Sequence, residues 1–252
     1  MNVICDTNIW YGIGENTIDL SELPSETKLI ATYNSIDEFA RTKNLIRIPE
    51  ATMRAIQSMF RSSSEHAIYQ PPLVYLRQLS EPDYKYNIVE NLGPILNFTS
   101  KIANGHGIDS SKTEEYALLC DARKKDLAFV ADLFNKEAKR IKPNIKNLAN
   151  HRKENSVPLN RNLISLFVEK ATGNPIKGEF DWKQIELFEA VLKIFFNALE
   201  TGAHTAKPND WYDLFILLYV QPGMKFWTKE KKWIEFIKAA GMEHYIFEYS
   251  NP

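Results

Sequence analysis

The residues best placed to do chemistry in this chain are carboxylates. Asp6 follows the short apolar run Asn2-Val3-Ile4-Cys5, and Glu38 lies one turn into the helix expected after the apolar run from Lys28 to Tyr33. Asp210 and Asp213 open a strongly apolar helical stretch, and Glu230 follows Phe226-Trp227-Thr228. In a parallel α/β sheet ligands gather at the carboxyl ends of the strands, so these acids stand where a ligand would meet them. Singly, each has an ordinary role: Asp6 or Asn8 as a helix cap, Asp210 and Asp213 as complements to a helix dipole, Glu38 as a partner of Arg41, Glu230 as a helix start. Together, acids at three strand ends and at the head of an apolar helix exceed what capping alone explains. Clustered carboxylates repel one another unless a hard cation that prefers oxygen, such as Mg2+ or Mn2+, neutralises them.

Other chemistries find little support. His66, His106, His151, His204 and His244 are scattered, with no pair at a metal-ligand spacing, which argues against a zinc site or a serine triad. Gly12-Ile13-Gly14 lacks the third glycine of a phosphate loop and follows a helix start rather than a strand. A phosphatase of the haloacid-dehalogenase type also begins with an acid at a strand end, but it needs a second Asp two residues on, where this chain has Asn8.

The elements that must position the acids lie at the two ends of the chain. The N-terminal end reads as strand, helix, strand (Lys28 to Tyr33), an N-cap at Asn34-Ser35 and a helix over Ile36 to Arg41. The C-terminal end reads as a buried helix from Asp210, stopped by Pro222-Gly223, then a strand at Lys225 to Thr228, a helix at Lys231 to Ala240 and a final strand at Tyr245 to Tyr249. Strands alternating with helices imply a parallel sheet covered on both faces. Between the ends, from about Pro49 to Ala206, helical periodicity dominates. Breakers such as Pro71-Pro72, Gly93-Pro94 and Gly173-Asn174-Pro175 divide it into six or seven expected helices.

Composition bounds the class. The 252 residues are 44% hydrophobic and 25% charged, as in ordinary globular chains, and allow one enlarged domain or two modest ones. No apolar run approaches the length of a spanning helix, and Asp6 interrupts the N-terminal apolar run, so neither secretion nor membrane insertion is expected. Two cysteines, Cys5 and Cys120, fit neither a disulfide framework nor a zinc site, which makes a reducing cytoplasm the expected setting. The net charge is −1, but Arg123 to Lys153 carries ten basic residues against three acids. Such a run is either a solvated helix face or a phosphate-binding surface.

The order of these motifs resembles the PIN-domain nucleases. Their signature is an apolar strand ending in Asp-Thr-Asn, a second strand running into a helix that carries Glu, an Asp opening an apolar helix, and a strand ending in Thr-x-Asp. Here the corresponding residues are Asp6-Thr7-Asn8, Glu38, Asp210 or Asp213, and Thr228-Lys229-Glu230. Either Asp210 or Asp213 fits the third position, and Glu230 stands where the family has Asp. The resemblance implies a three-layer α/β/α PIN-like core with a parallel sheet, assembled from residues 1–48 and 206–252, with residues 49–205 as an all-helical insertion packed on it. It implies a metal-dependent phosphodiesterase, most often an endoribonuclease, with Asp6, Glu38, Asp213 and Glu230 catalytic. Asp6, Glu38 and Asp213 or Asp210 would hold Mg2+ or Mn2+. Asn8 and Thr228 would orient the carboxylates, and Lys139, Arg140, Lys142 and Lys146 would hold phosphates if their segment folds over the site. The implied partner is nucleic acid, RNA before DNA, with room for a protein inhibitor or a homo-oligomer and none for a membrane. The alternatives are a PIN-like RNA-binding or scaffold protein without activity and a structure-specific DNA nuclease.

Overall fold

A computed structural model describes residues 1–63, 65–141 and 145–249, apart from the side chains of 141, 145–156, 158 and 159. In chain order the elements are β1 (Asn2–Cys5), α1 (Thr7–Gly14), β2 (Lys28–Ile30), α2 (Tyr33–Ala40), α3 (Asn44–Arg47), α4 (Pro49–Ser63), α5 (Pro72–Ser80) and α6 (Ile88–Ala103). They continue as α7 (Thr113–Ile141), α8 (Ile145–Thr172), α9 (Glu186–Thr201), α10 (Asp210–Ile216), β3 (Lys225–Trp227) and α11 (Lys231–Ala239). The molecule is an α/β mixture, mostly helical around one small parallel sheet.

The sheet order is β2-β1-β3, with Val3 opposite both Leu29 and Lys225. Side chains alternate across a strand, and here the alternation feeds two cores. Val3, Cys5, Leu29 and Trp227 enter one, while Ile4, Ile30 and Phe226 enter the other. Both faces are therefore dry, which is why β1 reads as an unbroken apolar run. Helices from both chain ends and from the middle cover them. Trp10, Ile36, Phe39, Ala55, Ile56 and Met59 pack on the Val3 side, and Leu76, Val191, Leu192, Phe195, Leu214 and Leu218 on the Ile4 side. The middle segment supplies α4 to α9 and is thus part of the hydrophobic interior on each face.

Close approach fixes one of these contacts. A Cβ on Gly14 would fall 2.7 Å from backbone atoms of Arg54 and Ala55, so glycine lets α1 lie against α4. This is what Gly14 does in place of cradling a phosphate.

Several local expectations change. The final strand shrinks to a single bridge between Phe226 and Ile246, because β3 is only three residues long and a short helical turn at Glu243–Tyr245 precedes it. Asn34 and Ser35 are not caps. The helix starts at Tyr33, and the two side chains turn inward to bond the backbone carbonyls of Tyr212 and Cys5. Gly93-Pro94 does not break a helix either, since Pro94 lies within α6. Cys5 and Cys120 are free and buried. Among the described residues no helix is long and apolar enough to cross a membrane.

Candidate metal centre

The polypeptide leaves β1 at Cys5, and Asp6 takes an extended conformation as the N-cap of α1. Its Oδ1 accepts the Thr7 amide at 2.7 Å, which is the capping role. Its Oδ2 accepts Asn8 Nδ2 at 2.5 Å and the Thr228 hydroxyl at 2.6 Å. Thr228 Oγ1 in turn accepts the Glu230 amide at 3.1 Å, and Asn8 Oδ1 accepts the Lys229 amide at 3.0 Å. The ends of β1 and β3 are thereby stitched together through Asp6, with Asn8 and Thr228 orienting its carboxylate. The Thr7 hydroxyl donates to Glu38 Oε2 at 2.7 Å, which ties α2 to the same point.

The acids feel one another. Burial pushes the Asp6 carboxyl up to about 7, helped by the charges of Glu38 and Glu230 and opposed by the Thr228 hydrogen bond. Burial also raises Glu38, against the Thr7 hydrogen bond and the nearby Arg123. Asp213 is raised well above the usual carboxylate range, first by burial and then by Asp6 and Glu230, with Lys232 pulling the other way. Four carboxyl groups from β1, α2, α10 and the end of β3 thus share one electrostatic neighbourhood.

Asp210 and Asp213 have different surroundings. Asp210 is almost wholly buried, and both of its oxygens are taken. Oδ1 meets Lys232 Nζ at 2.5 Å, while Oδ2 meets His204 Nε2 at 2.6 Å and the Lys207 amide at 3.0 Å. Burial alone would raise its pKa, but these donors hold it below the usual value. Asp213 accepts only the indole N–H of Trp233, at 3.3 Å, with Lys232 Nζ 3.7 Å away. Of the two, Asp213 is the less engaged and has more oxygen lone pairs to offer.

These acids border a cleft of about 800 Å3 lined by Glu38, Asp210, Asp213 and Glu230 and walled by α2, α3, the first half of α7 and the Lys207 to Asn209 loop. Eight cationic side chains line it against five acids, so the cleft carries an excess of positive charge around an acidic patch. They are Arg41, Lys43, Arg47, Arg123, Lys124, Lys207, Lys231 and Lys232. Arg123 is anchored by Asp37 Oδ2 at 3.3 Å and stacks over Tyr212 at 4.6 Å, which fixes α7 against α2 and α10. Asp37 itself is buried between Arg41, Arg123 and the hydroxyls of Tyr33 and Tyr212.

Of the expected phosphate-binding residues, Lys139 and Arg140 lie away from the cleft. Lys139 and Arg140 occupy the last turn of α7, about 24 Å along the helix from Arg123, and do not line the cleft. Arg140 instead pairs with Glu137 at 2.8 Å. Lys142 and the Lys146 side chain lie outside the described residues. Among the described residues the basic run meets the cleft at its start, through Arg123 and Lys124. The other cations come from three separate segments, Arg41 to Arg47, Lys207, and Lys231 with Lys232.

The donor set fits a hard divalent cation in its chemistry: oxygen ligands only, raised in pKa first by burial and then by one another's charge. As the side chains stand, among the described residues no three His, Cys, Asp or Glu groups close on one point. Lys232 Nζ stands among the acids, 2.5 Å from Asp210, 3.7 Å from Asp213 and 3.8 Å from Glu230. Compared with family models, curated proteins and solved structures, the chain matches none.

Proposed function

We propose that this protein is a metal-dependent phosphodiesterase with a PIN-like core, cutting single-stranded nucleic acid. The observation that carries the reading is that Asp6, Glu38, Asp213 and Glu230 feel one another's charge, and that the last three line a cleft with more cations than acids. Asp6, Glu38 and Asp213 are the residues to hold Mg2+ or Mn2+, with Glu230 at the edge. When bound, such an ion lowers the pKa of a water molecule and neutralises charge that builds on the phosphate. Asn8, Thr228 and Thr7 keep Asp6 and Glu38 oriented, which lowers the reorganisation needed as a phosphate arrives. Arg47, Lys124, Lys207 and Lys231 hold flanking phosphates without reading sequence. RNA is placed ahead of DNA on the resemblance to PIN nucleases alone.

A second reading, binding without cleavage, draws on Lys232 standing among the acids and on Glu230 in place of the shorter Asp. Matched RNA and DNA oligonucleotides incubated with Mg2+ or Mn2+ separate the two. Under the nuclease reading cleavage appears, stops with EDTA, and falls about 100-fold or more in Asp213→Asn and Glu38→Gln. These two substitutions keep the oxygens that accept from Trp233 and Thr7. Oligonucleotides bound but left intact with either ion would favour the second reading, and cleavage unaffected by both substitutions would sink the first.

A further inference from the structure

Helix α7 is apolar on two opposite sides. Tyr116, Cys120, Ala131 and Ala138 face the interior, as an ordinary amphipathic helix requires. Half a turn away Leu118, Ala122, Phe129 and Leu133 recur at spacings of four, seven and four, which at about 100° per residue keeps them on one line. Leu118 is 65% exposed, Phe129 70% and Leu133 49%, with Leu119 beside them at 61%. Scattered exposed leucines are unremarked on soluble proteins, but large apolar side chains aligned along one exposed helix face are the feature of a contact surface.

The charges around the stripe say what fits it. Glu114 and Glu115 open the helix, and Lys136, Lys139 and Arg140 close it. Lys125 and Asp126 sit side by side at the stripe's midpoint, both exposed. We propose that α7 pairs with α7 of a second copy of this chain, antiparallel about a two-fold axis between Lys125 and Asp126. That register sets Leu118 against the partner's Leu133, Ala122 against the partner's Phe129, Lys125 against the partner's Asp126 and Glu115 against the partner's Lys136, a residue that also pairs with Asp132 at 2.6 Å within its own helix; it brings Glu114 opposite the partner's Glu137, whose charge Arg140 offsets at 2.8 Å. Each contact is made twice, as an isologous interface demands. A parallel pairing would set acid on acid and base on base.

The cleft lies round the other side of α7, at Cys120, Arg123, Lys124 and Leu127, so pairing leaves it open in each copy. The pairing does not rest on the nuclease reading. Sedimentation velocity on the full chain from about 1 to 100 µM tests it. The expected result is a mass that doubles over that range, and a protein monomeric throughout would overturn the proposal. Phe129→Asp with Leu133→Asp should give monomers with unchanged circular dichroism, since both positions are exposed; a dimer that survives them uses another surface. Register is tested by charge reversal. Glu115→Lys alone and Lys136→Glu alone each place two like pairs in the dimer and should weaken it roughly tenfold. Mixing the two variants restores both pairs in the heterodimer, so association should recover. A mixture no tighter than either variant would refute the antiparallel register.

Discussion

Asp210 and Asp213 lie one turn apart on α10 and should respond to the same change in opposite ways. Asp210 is stabilised as an anion by Lys232, His204 and the Lys207 amide. Its folded pKa is depressed, so its contribution is present above the unfolded value near 4 and is lost as pH falls through the folded one. Asp210→Asn should cost about 2–3 kcal/mol at pH 8, less than stranding a fully buried charge because Lys232 keeps part of its surface in water. Asp213 and Asp6 are raised, and a carboxyl that holds its proton more tightly when folded works the other way. The Asp6 contribution is complete below about pH 4 and is lost as pH rises through about 7. Metal-free Asp213→Asn should therefore melt higher than the parent at pH 8, by about the 2–4 °C that one kcal/mol gives in a chain of this size, with little difference at pH 5. Added Mg2+ or Mn2+ should raise the parent's Tm more at pH 8 than at pH 5, because only ionised carboxylates bind it. Thermal melts at both pH values check all of this. Equal destabilisation by both asparagines would show that Asp213 is as structural as Asp210.

At the scale of elements, the packing of α1 on α4 sets where Asp6 begins its helix, and Gly14 sets that packing. An added methyl would meet the α4 backbone at 2.7 Å, and backbone cannot swing aside as a side chain can. Gly14→Ala should lower stability by about 1–3 kcal/mol, the usual cost of overpacking, despite alanine's better helix propensity. Denaturant unfolding measures it, and a stabilised Gly14→Ala protein would mean that α4 yields freely. The three strands were legible because Val3-Ile4-Cys5, Leu29-Ile30 and Phe226-Trp227 are apolar runs cut off by polar residues, which is the mark of strands buried on both faces. The strand expected at Tyr245 to Tyr249 was misread for a physical reason. Its aromatics do pack on Trp227, through Phe247 at 4.8 Å and Tyr249 at 5.3 Å, but packing without a continuing ladder of hydrogen bonds makes no strand. Asn34 and Ser35 misled in the same way, since residues that suit a cap also suit inward hydrogen bonds.

Across the whole molecule, the places of the acids in the fold were legible, and those of the cleft cations only at Arg123 and Lys124. Each acid follows a recognisable strand or opens an apolar helix, so its place in the fold can be read from its neighbours in sequence. The cleft cations come from the turn between α2 and α3, from α3, α7, the loop before α10 and the start of α11, and only folding brings them together. The dense basic run drew attention to Lys139 and Arg140, which a long straight helix carries about 24 Å away from Arg123. The distinction has a measurable consequence. A cation that neutralises a phosphate of single-stranded nucleic acid releases counterions, and each such contact adds about 0.7 to the slope of log affinity against log salt. In an Asp213→Asn background, which separates binding from cleavage, changing Arg47, Lys124 and Lys207 together to Gln should flatten that slope by about 2 and weaken all single-stranded sequences alike. Changing Lys139 and Arg140 to Gln should leave the slope where it was, because neither borders the cleft. If the second pair flattens the slope and the first three do not, nucleic acid tracks along the far end of α7, and the cleft is not where it binds.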